Sequence, residues 1–254
     1  MKMRDLDYSK LTDEIQDKIK EYVMSANAKG VVLGLSGGID SSVTAALSVN
    51  ALGKENVLGL GLPCHSIPQD LEDAKLIAKK LGITLKVLEL TSTYEEIISV
   101  FKTQIKPNDM ALANLKPRLR MATIYFAGQS MGYLVIGTGN RTELAIGYFT
   151  KYGDGGVDFE PIGALYKCEV REVAKILGIP EKIITKPPSA GLWEGQTDED
   201  DIGMTYDRLD EIIYRLDNSL DLNDLNREDI KCVKDMMEEA KHKNNTPPTF
   251  EINI

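Results

Sequence analysis

The sequence predicts an α/β fold: a doubly wound, mostly parallel sheet with helices on both faces. Three observations point to it. Short apolar runs such as Val31-Val32-Leu33 alternate with stretches of helical periodicity, as parallel strands and crossover helices require. Glycines such as Gly30, Gly53, Gly82 and Gly178 punctuate the joins. The two loops richest in glycine and polar residues follow strand ends, where open α/β sheets bind ligands.

In chain order, a helix is predicted from about Thr12, with Ile15, Ile19, Tyr22 and Val23 on one face. A strand over 31–35 follows, then a loop and a helix carrying Val43, Ala46, Leu47 and Leu52. Residues 56–62 read as a second strand closed by Pro63, and 70–81 as a helix with Leu71, Ala74, Ile77, Ala78 and Leu81 facing in. Residues 84–88 form a third strand. Helices are predicted over 94–101 and 109–129. The second of these carries Met110, Leu112, Leu115, Leu119, Ile124 and Phe126, which read as core or as a helix–helix contact. A fourth strand, 133–136, ends at Gly137-Thr138-Gly139. A helix over 167–177 follows, with Gly178 as its cap. From about 184 the chain turns to loops and two acidic amphipathic helices, 200–216 and 227–241. They are expected to pack on the same core, so 1–254 reads as a single domain.

Composition narrows the function. At 254 residues, 43% hydrophobic and 27% charged, the chain is ordinary for a globular protein with a full core. No apolar run approaches a membrane span, and Met1-Lys2-Met3-Arg4-Asp5 lacks a signal-peptide core. Cys64, Cys168 and Cys232 have no metal or redox spacing, which fits reduced thiols in a cytoplasmic protein. A net charge of −9 argues against a broad nucleic-acid surface. It leaves room for an anionic small substrate held by a few placed cations. Cys64-His65 is no catalytic dyad, because adjacent residues on extended chain point to opposite sides.

The chemistry is concentrated in Gly34-Leu35-Ser36-Gly37-Gly38-Ile39-Asp40-Ser41-Ser42. It lies at a strand-to-helix turn, where unpaired N–H groups and the helix dipole favour a phosphate or pyrophosphate. The paired glycines read as letting the backbone approach that anion, and the three serine hydroxyls as donors to it. No lysine lies in the loop, so it is not a Walker A motif, and the third glycine of the dinucleotide fingerprint is missing. A second cluster runs from Gly137 to Asp158. Glu143 and Asp40, from two loops at one sheet edge, read as Mg²⁺ ligands completed by substrate phosphates. The bland alternative is a surface loop with a helix cap at Thr142. Lys167 opens a helix, where a cation opposes the dipole unless an anion sits there.

The first loop resembles the Ser-Gly-Gly-x-Asp-Ser loop of ATP pyrophosphatases, which cleave ATP between its α and β phosphates. Nearly the whole chain is similar to one family in that group, the ammonia-dependent NAD⁺ synthetases. The matching runs are Gly34–Ser41, Arg118-Leu119-Arg120-Met121, Gly139-Asn140-Arg141-Thr142-Glu143 and Phe149-Thr150-Lys151-Tyr152-Gly153-Asp154-Gly155-Gly156-Val157-Asp158. Lys186-Pro187-Pro188-Ser189-Ala190-Gly191-Leu192-Trp193, Gln196–Glu199, Ile202–Tyr206 and His242-Lys243 continue it. The resemblance implies an adenine nucleotide α-hydrolase-like fold and ATP as co-substrate. It assigns ATP to Gly34, Leu35, Ser36, Gly37, Gly38, Ile39, Asp40, Ser41, Thr138, Lys167 and Ser189, and Mg²⁺ to Asp40 and Glu143. It assigns deamido-NAD⁺ to Arg118, Lys151, Asp158, His242 and Lys243. A homodimer is implied too, with the 109–129 helix as the candidate contributor. Asn244-Asn245-Thr246 departs from the basic tail common in relatives.

The implied reaction is attack of the nicotinate carboxylate on the ATP α-phosphate, with pyrophosphate leaving, followed by amidation with ammonia. Lys167 is the expected cation for transition-state charge and Asp154 the carboxylate that takes the proton from ammonium. No glutaminase fits beside this unit in 254 residues, so free ammonia is the expected donor. Trp193 reads either as a buried anchor or as part of a lid. Two rival readings are a tRNA-modifying thiolase or amidotransferase subunit and a non-catalytic nucleotide sensor. The first would bring extra cysteines in metal or persulfide spacing or a basic RNA-binding region, and the sequence shows neither. The second would not need Glu143, Lys151, Asp154 and Lys167 together.

Overall fold

The computed structural model describes residues 4–193 and 195–250. The leader reading at residues 1–3, and Glu194 beside Trp193, lie outside the described residues. Four strands, β1 (Val31–Gly34), β2 (Val57–Gly61), β3 (Thr84–Val87) and β4 (Leu134–Val135), form one sheet in the order β3-β2-β1-β4. Every pairing is parallel, with Val31 opposite both Val57 and Leu134. The chain winds outward from β1 to β3, then returns to lay β4 on the other side of β1. This puts the topological switch point between the carboxyl ends of β1 and β4, which is where both predicted loops emerge. Phe159 bridges Ile136 in parallel just beyond β4.

The strand alternation builds two cores. Val31 and Leu33 face α1 (Tyr8–Ser25), α2 (Ile39–Leu52), α3 (Pro68–Leu81) and α7 (Lys167–Ile176), among Ile19, Val43, Ile77 and Val173. Val32, Leu58, Leu60 and Val135 face the other way, toward α4 (Thr91–Lys102) and α5 (Asp109–Met131). Helices therefore cover both faces, as predicted. Helix α2 is wedged against α1, α3 and α7, so Ser42, Thr44 and Ser48 are buried along with its apolar residues.

A third cluster joins α6 (Arg141–Ile146), α10 (Tyr206–Asp217) and α11 (Arg227–Asn244) around Tyr166, Leu209, Ile213 and Val233. Two short helices, α8 (Glu181–Ile184) and α9 (Asp198–Ile202), complete the C-terminal part. The helix predicted over 200–216 is thus divided: α9 stops at Gly203, whose φ of +75° suits glycine, and α10 restarts after Thr205. Helix α6 is too short to show periodicity. Its cap is Asn140 rather than Thr142: Asn140 Oδ1 accepts from Glu143 N, and the Glu143 carboxylate accepts from Asn140 N. Tyr22 leaves the core face of α1 to pack on the Phe159 ring at 4.6 Å. On α5, Met110 and Phe126 are 64% and 76% exposed, so neither belongs to the core. Among the described residues, no helix is long and apolar enough to cross a membrane.

Candidate active site

The loop after β1 leads into α2 with Gly38 as its cap. Among the described residues no side chain bonds the first-turn N–H groups, so they stand open as anion donors. Gly37 has φ +81°, and a Cβ there would collide with the Asp70 carbonyl and lie 2.8 Å from Asp73 Cβ. Its requirement for glycine thus comes from its φ and from the close packing of the first two turns of α3. At Gly38 an added Cβ would meet only Ser36 Oγ, at 3.4 Å. The serines also differ from expectation. Ser42 is buried and its hydroxyl donates to Gly38 O at 2.7 Å, while the buried Ser41 donates to the same carbonyl at 3.1 Å. Only Ser36 is exposed, its hydroxyl 3.0 Å from Ser41 Oγ.

The centre of the site is Lys167, whose side chain is 1% exposed. Its Nζ donates to Asp40 Oδ2 at 2.7 Å and to Glu143 Oε1 at 2.8 Å, and lies 4.8 Å from the Tyr206 ring centroid. Asn140 Nδ2 donates to Asp40 Oδ1 at 2.9 Å, locking the second loop to the first. The Tyr206 hydroxyl donates to Asp198 Oδ2 at 2.8 Å. Burial opposes the charge on Lys167, but the two carboxylates outweigh it and raise its pKa. Burial pushes Glu143 up to about 7 against the pull of Lys167, with Asp40 adding to the rise. The anion that lets a lysine open α7 is therefore the protein's own pair of carboxylates. Asp210 assists by accepting from Cys168 N at 2.8 Å, and Thr142 Oγ1 accepts from Lys167 N at 3.0 Å.

The donor set suits Mg²⁺. Asp40 and Glu143 present hard oxygens from two loops that meet at Lys167 Nζ, and with Asp198 close by on Tyr206 the acids outnumber the cation there. Among the described residues the buried Asp198 Oδ1 has no hydrogen-bond partner. Among the described residues no group of three or more His, Cys, Asp or Glu forms a self-sufficient metal cage. Such a cage is unnecessary for an ion that takes one or two carboxylates and fills its shell with water and substrate phosphates.

The remaining predicted residues fall into groups. Thr138 lies half-buried between Gly137 and Gly139, and Gly139 N donates to Glu160 Oε2 at 2.9 Å. Burial pushes that Glu160 carboxyl up to about 8. Ser189 is exposed on a segment anchored by Lys186, whose Nζ bonds Asp70 Oδ1 and Asp73 Oδ2, both at 2.8 Å. Because Gly37 packs on the same two aspartates, this segment comes beside the first loop. Arg118 donates to Lys151 O at 3.4 Å, and the Lys151 ammonium donates to His242 O. Lys243 Nζ donates to Gly147 O at 2.7 Å and Phe149 O at 3.0 Å. These three cationic side chains, with the backbone of His242, gather where α5, the 149–158 loop and the end of α11 meet. Asp158 does not join them: it accepts from Val135 N at 2.7 Å and from the Tyr125 hydroxyl at 3.0 Å, bracing the β4 edge. Asp154 has an open edge, yet the protein packed around it raises its carboxyl against the hydrogen bond from Thr150 N at 2.9 Å. Trp193 is 47% exposed, which removes the buried-anchor reading. Cys64 is buried with its thiol pushed up, while His65 packs edge-on to Tyr94, so no dyad forms.

Asn140, Asp198, Tyr206 and the Asp73–Lys186 link are not among the site features predicted from the sequence. Asn140 was readable, since Asn140-x-x-Glu143 has capping-box spacing. Nothing local marks Tyr206, which reaches Glu143 across 63 positions.

Residues 11–247 match the family model described as NAD synthase. The chain is 48% identical to an NH(3)-dependent NAD(+) synthetase from Carboxydothermus hydrogenoformans, over 95% of this chain and 97% of that one. Among solved structures, it is similar to an NMN synthetase from Francisella tularensis, with a TM-score of 0.89 and 33% identity over 98% of this chain and 100% of that one. An NH3-dependent NAD synthetase from Campylobacter jejuni, in complex with the nitrate ion, superposes with a TM-score of 0.83 at 34% identity, over 97% of this chain and 100% of that one. The fold, the loops at its switch point and these likenesses agree, and the chain belongs to the NAD synthase family.

Proposed function

We propose that this protein is a ligase that amidates deamido-NAD⁺ with ammonia, consuming ATP with Mg²⁺ and releasing AMP and pyrophosphate. The observation that carries the reading is Lys167 held between Asp40 and Glu143, beside the open amino end of α2. That arrangement binds the polyphosphate of a nucleotide and meets charge as it builds on the phosphates. Asp40 and Glu143 would hold Mg²⁺, which when bound supplies neutralisation of phosphate charge. Ser36 and the first-turn N–H groups of α2 receive the pyrophosphate end, and Thr138 and Ser189 border the nucleotide. Arg118, Lys151, His242 and Lys243 hold the dinucleotide, with Asp158 stiffening the strand edge behind them.

With both substrates so placed, a nicotinate carboxylate oxygen bonds to the α-phosphorus and the bond to the bridging oxygen breaks, its electron pair leaving with pyrophosphate. Ammonia then attacks the acyl carbon and AMP departs. Asp154 is placed to hold ammonium and accept its proton, since a carboxyl with raised affinity for protons is a better base. The exposed Met110 and Phe126 on α5 support a homodimer that covers them. The free cysteines and net charge of −9 support a cytoplasmic protein with no nucleic-acid partner, and residues 1–254 work as one domain.

The test supplies ATP, Mg²⁺ and ammonium with either deamido-NAD⁺ or nicotinate mononucleotide. The second acceptor is included because of the likeness to an NMN synthetase. NAD⁺, AMP and pyrophosphate are the expected products. ADP and phosphate would overturn the chemistry, and preference for the mononucleotide would overturn the substrate.

A further inference from the structure

We propose that Lys116 and Arg120 form an oxyanion-binding pair, taking a phosphate or carboxylate oxygen of the reacting substrates between them. The inference rests on the adenylation reading above and adds two residues to it.

The two cations stand four apart on α5, so they share one face a turn apart and repel. Lys116 is buried and Arg120 half-buried. Among the described residues neither has a carboxylate within hydrogen-bond reach. Lys116 Nζ donates to Leu192 O at 2.5 Å and lies 5.9 Å from the Tyr94 ring centroid. Arg120 uses Nε on Leu62 O at 3.1 Å and one terminal nitrogen on Ser66 Oγ at 3.2 Å, leaving part of its planar fork free. Burial lowers the proton affinity of both, and Arg120 lowers that of Lys116 further.

Several other cations are matched by acids, although the half-buried Lys243 also bonds only backbone carbonyls. Lys167 has Asp40 and Glu143, Arg141 has Asp217, and Lys186 has Asp70 and Asp73. A buried cation without a facing counter-charge is destabilising, and two together call for an anion that the described residues do not supply within hydrogen-bond reach. Their position says where that anion comes from. Leu62 follows the carboxyl end of β2, one strand from the loop after β1, and Leu35 N bonds Leu60 O at 2.8 Å across that gap. The acids acting on Arg120 from longer range are Asp154 and Asp70, one on the 149–158 loop and the other against Gly37. The pair therefore lies between the phosphate loop and the dinucleotide residues, where reacting oxygens pass. Arg120 can grip them in bidentate fashion and Lys116 supplies a point charge.

The test uses K116M, R120Q and R120K. Calorimetric titration with ATP and with deamido-NAD⁺ separately shows which substrate supplies the oxyanion, and melting curves of the ligand-free protein report folding. The expected result is a loss of about 10- to 100-fold in affinity for one substrate, or in kcat, for K116M and R120Q. R120K should be intermediate. The melting temperature of K116M should equal or exceed that of the wild type, because repulsion is relieved. Wild-type affinities and turnover with a lowered melting temperature would make the pair structural and overturn the proposal. A wild-type protein that forms no NAD⁺ and AMP would instead overturn the parent reading.

Discussion

Replacing Asp73 by Asn removes the acid that ties α3, α8 and the 186–191 segment together beside the phosphate loop. Its side chain is 5% exposed and accepts from Lys186 at 2.8 Å, Lys182 at 2.9 Å and Gln69 at 3.0 Å. Burial opposes its ionisation, but the hydrogen bonds from Lys186, Lys182 and Gln69 win and hold it at about 2, below the ordinary 3.8. That gap corresponds to about 2 kcal/mol of stability. Because the folded value lies below the unfolded one, the contribution is complete above the unfolded value. It fades below about pH 4 and is mostly gone by about pH 2. Urea unfolding of wild type and D73N at a series of pH values measures it. A gap of about 2 kcal/mol at pH 7 that closes with acid is expected. No gap at pH 7, or one that does not depend on pH, would mean that the ionised Asp73 does not hold these elements together.

Lys167→Ala leaves Asp40 and Glu143 facing each other. It should cost about 3–5 kcal/mol in thermal or urea unfolding, and lower kcat more than it raises KM. A change confined to KM would mean that Lys167 only binds ATP. Asp154→Asn should keep pyrophosphate exchange into ATP, which reports adenylate formation, while amide formation falls; equal loss of both would remove Asp154 from the ammonia step. Phe126→Glu should convert a dimer to a monomer in sedimentation experiments. An unchanged mass would place the subunit contact elsewhere or nowhere.

Much of the fold was legible because the central strands β1 and β2 are buried and read as short apolar runs between glycines. The four predicted strands and the helices around them stand within a few residues of their places. The prediction failed where tertiary contacts decide. Gly37 is glycine because α3 arrives there, which no property of the loop itself reveals. Helix α6 has six residues and no period, and the acidic stretch after 198 hides a break at Gly203. Of the site, Asp40, Glu143 and Lys167 were readable as chemistry from separate loops, but not as one ion cluster. Tyr206 and Asp198 enter it from the C-terminal helices, too distant in sequence to leave a local mark. Asp158 shows the converse, a motif residue whose side chain is occupied with the sheet edge.

The central claim is that a carboxylate oxygen attacks the α-phosphorus of ATP at Lys167, Asp40 and Glu143. Oxygen-isotope tracing tests it most directly. Deamido-NAD⁺ labelled with heavy oxygen in its nicotinate carboxylate is turned over with ATP, Mg²⁺ and ammonium, and the products are weighed by mass spectrometry. One labelled oxygen is expected in AMP and none in pyrophosphate. Label retained wholly in NAD⁺ and water, or found in inorganic phosphate, would contradict it.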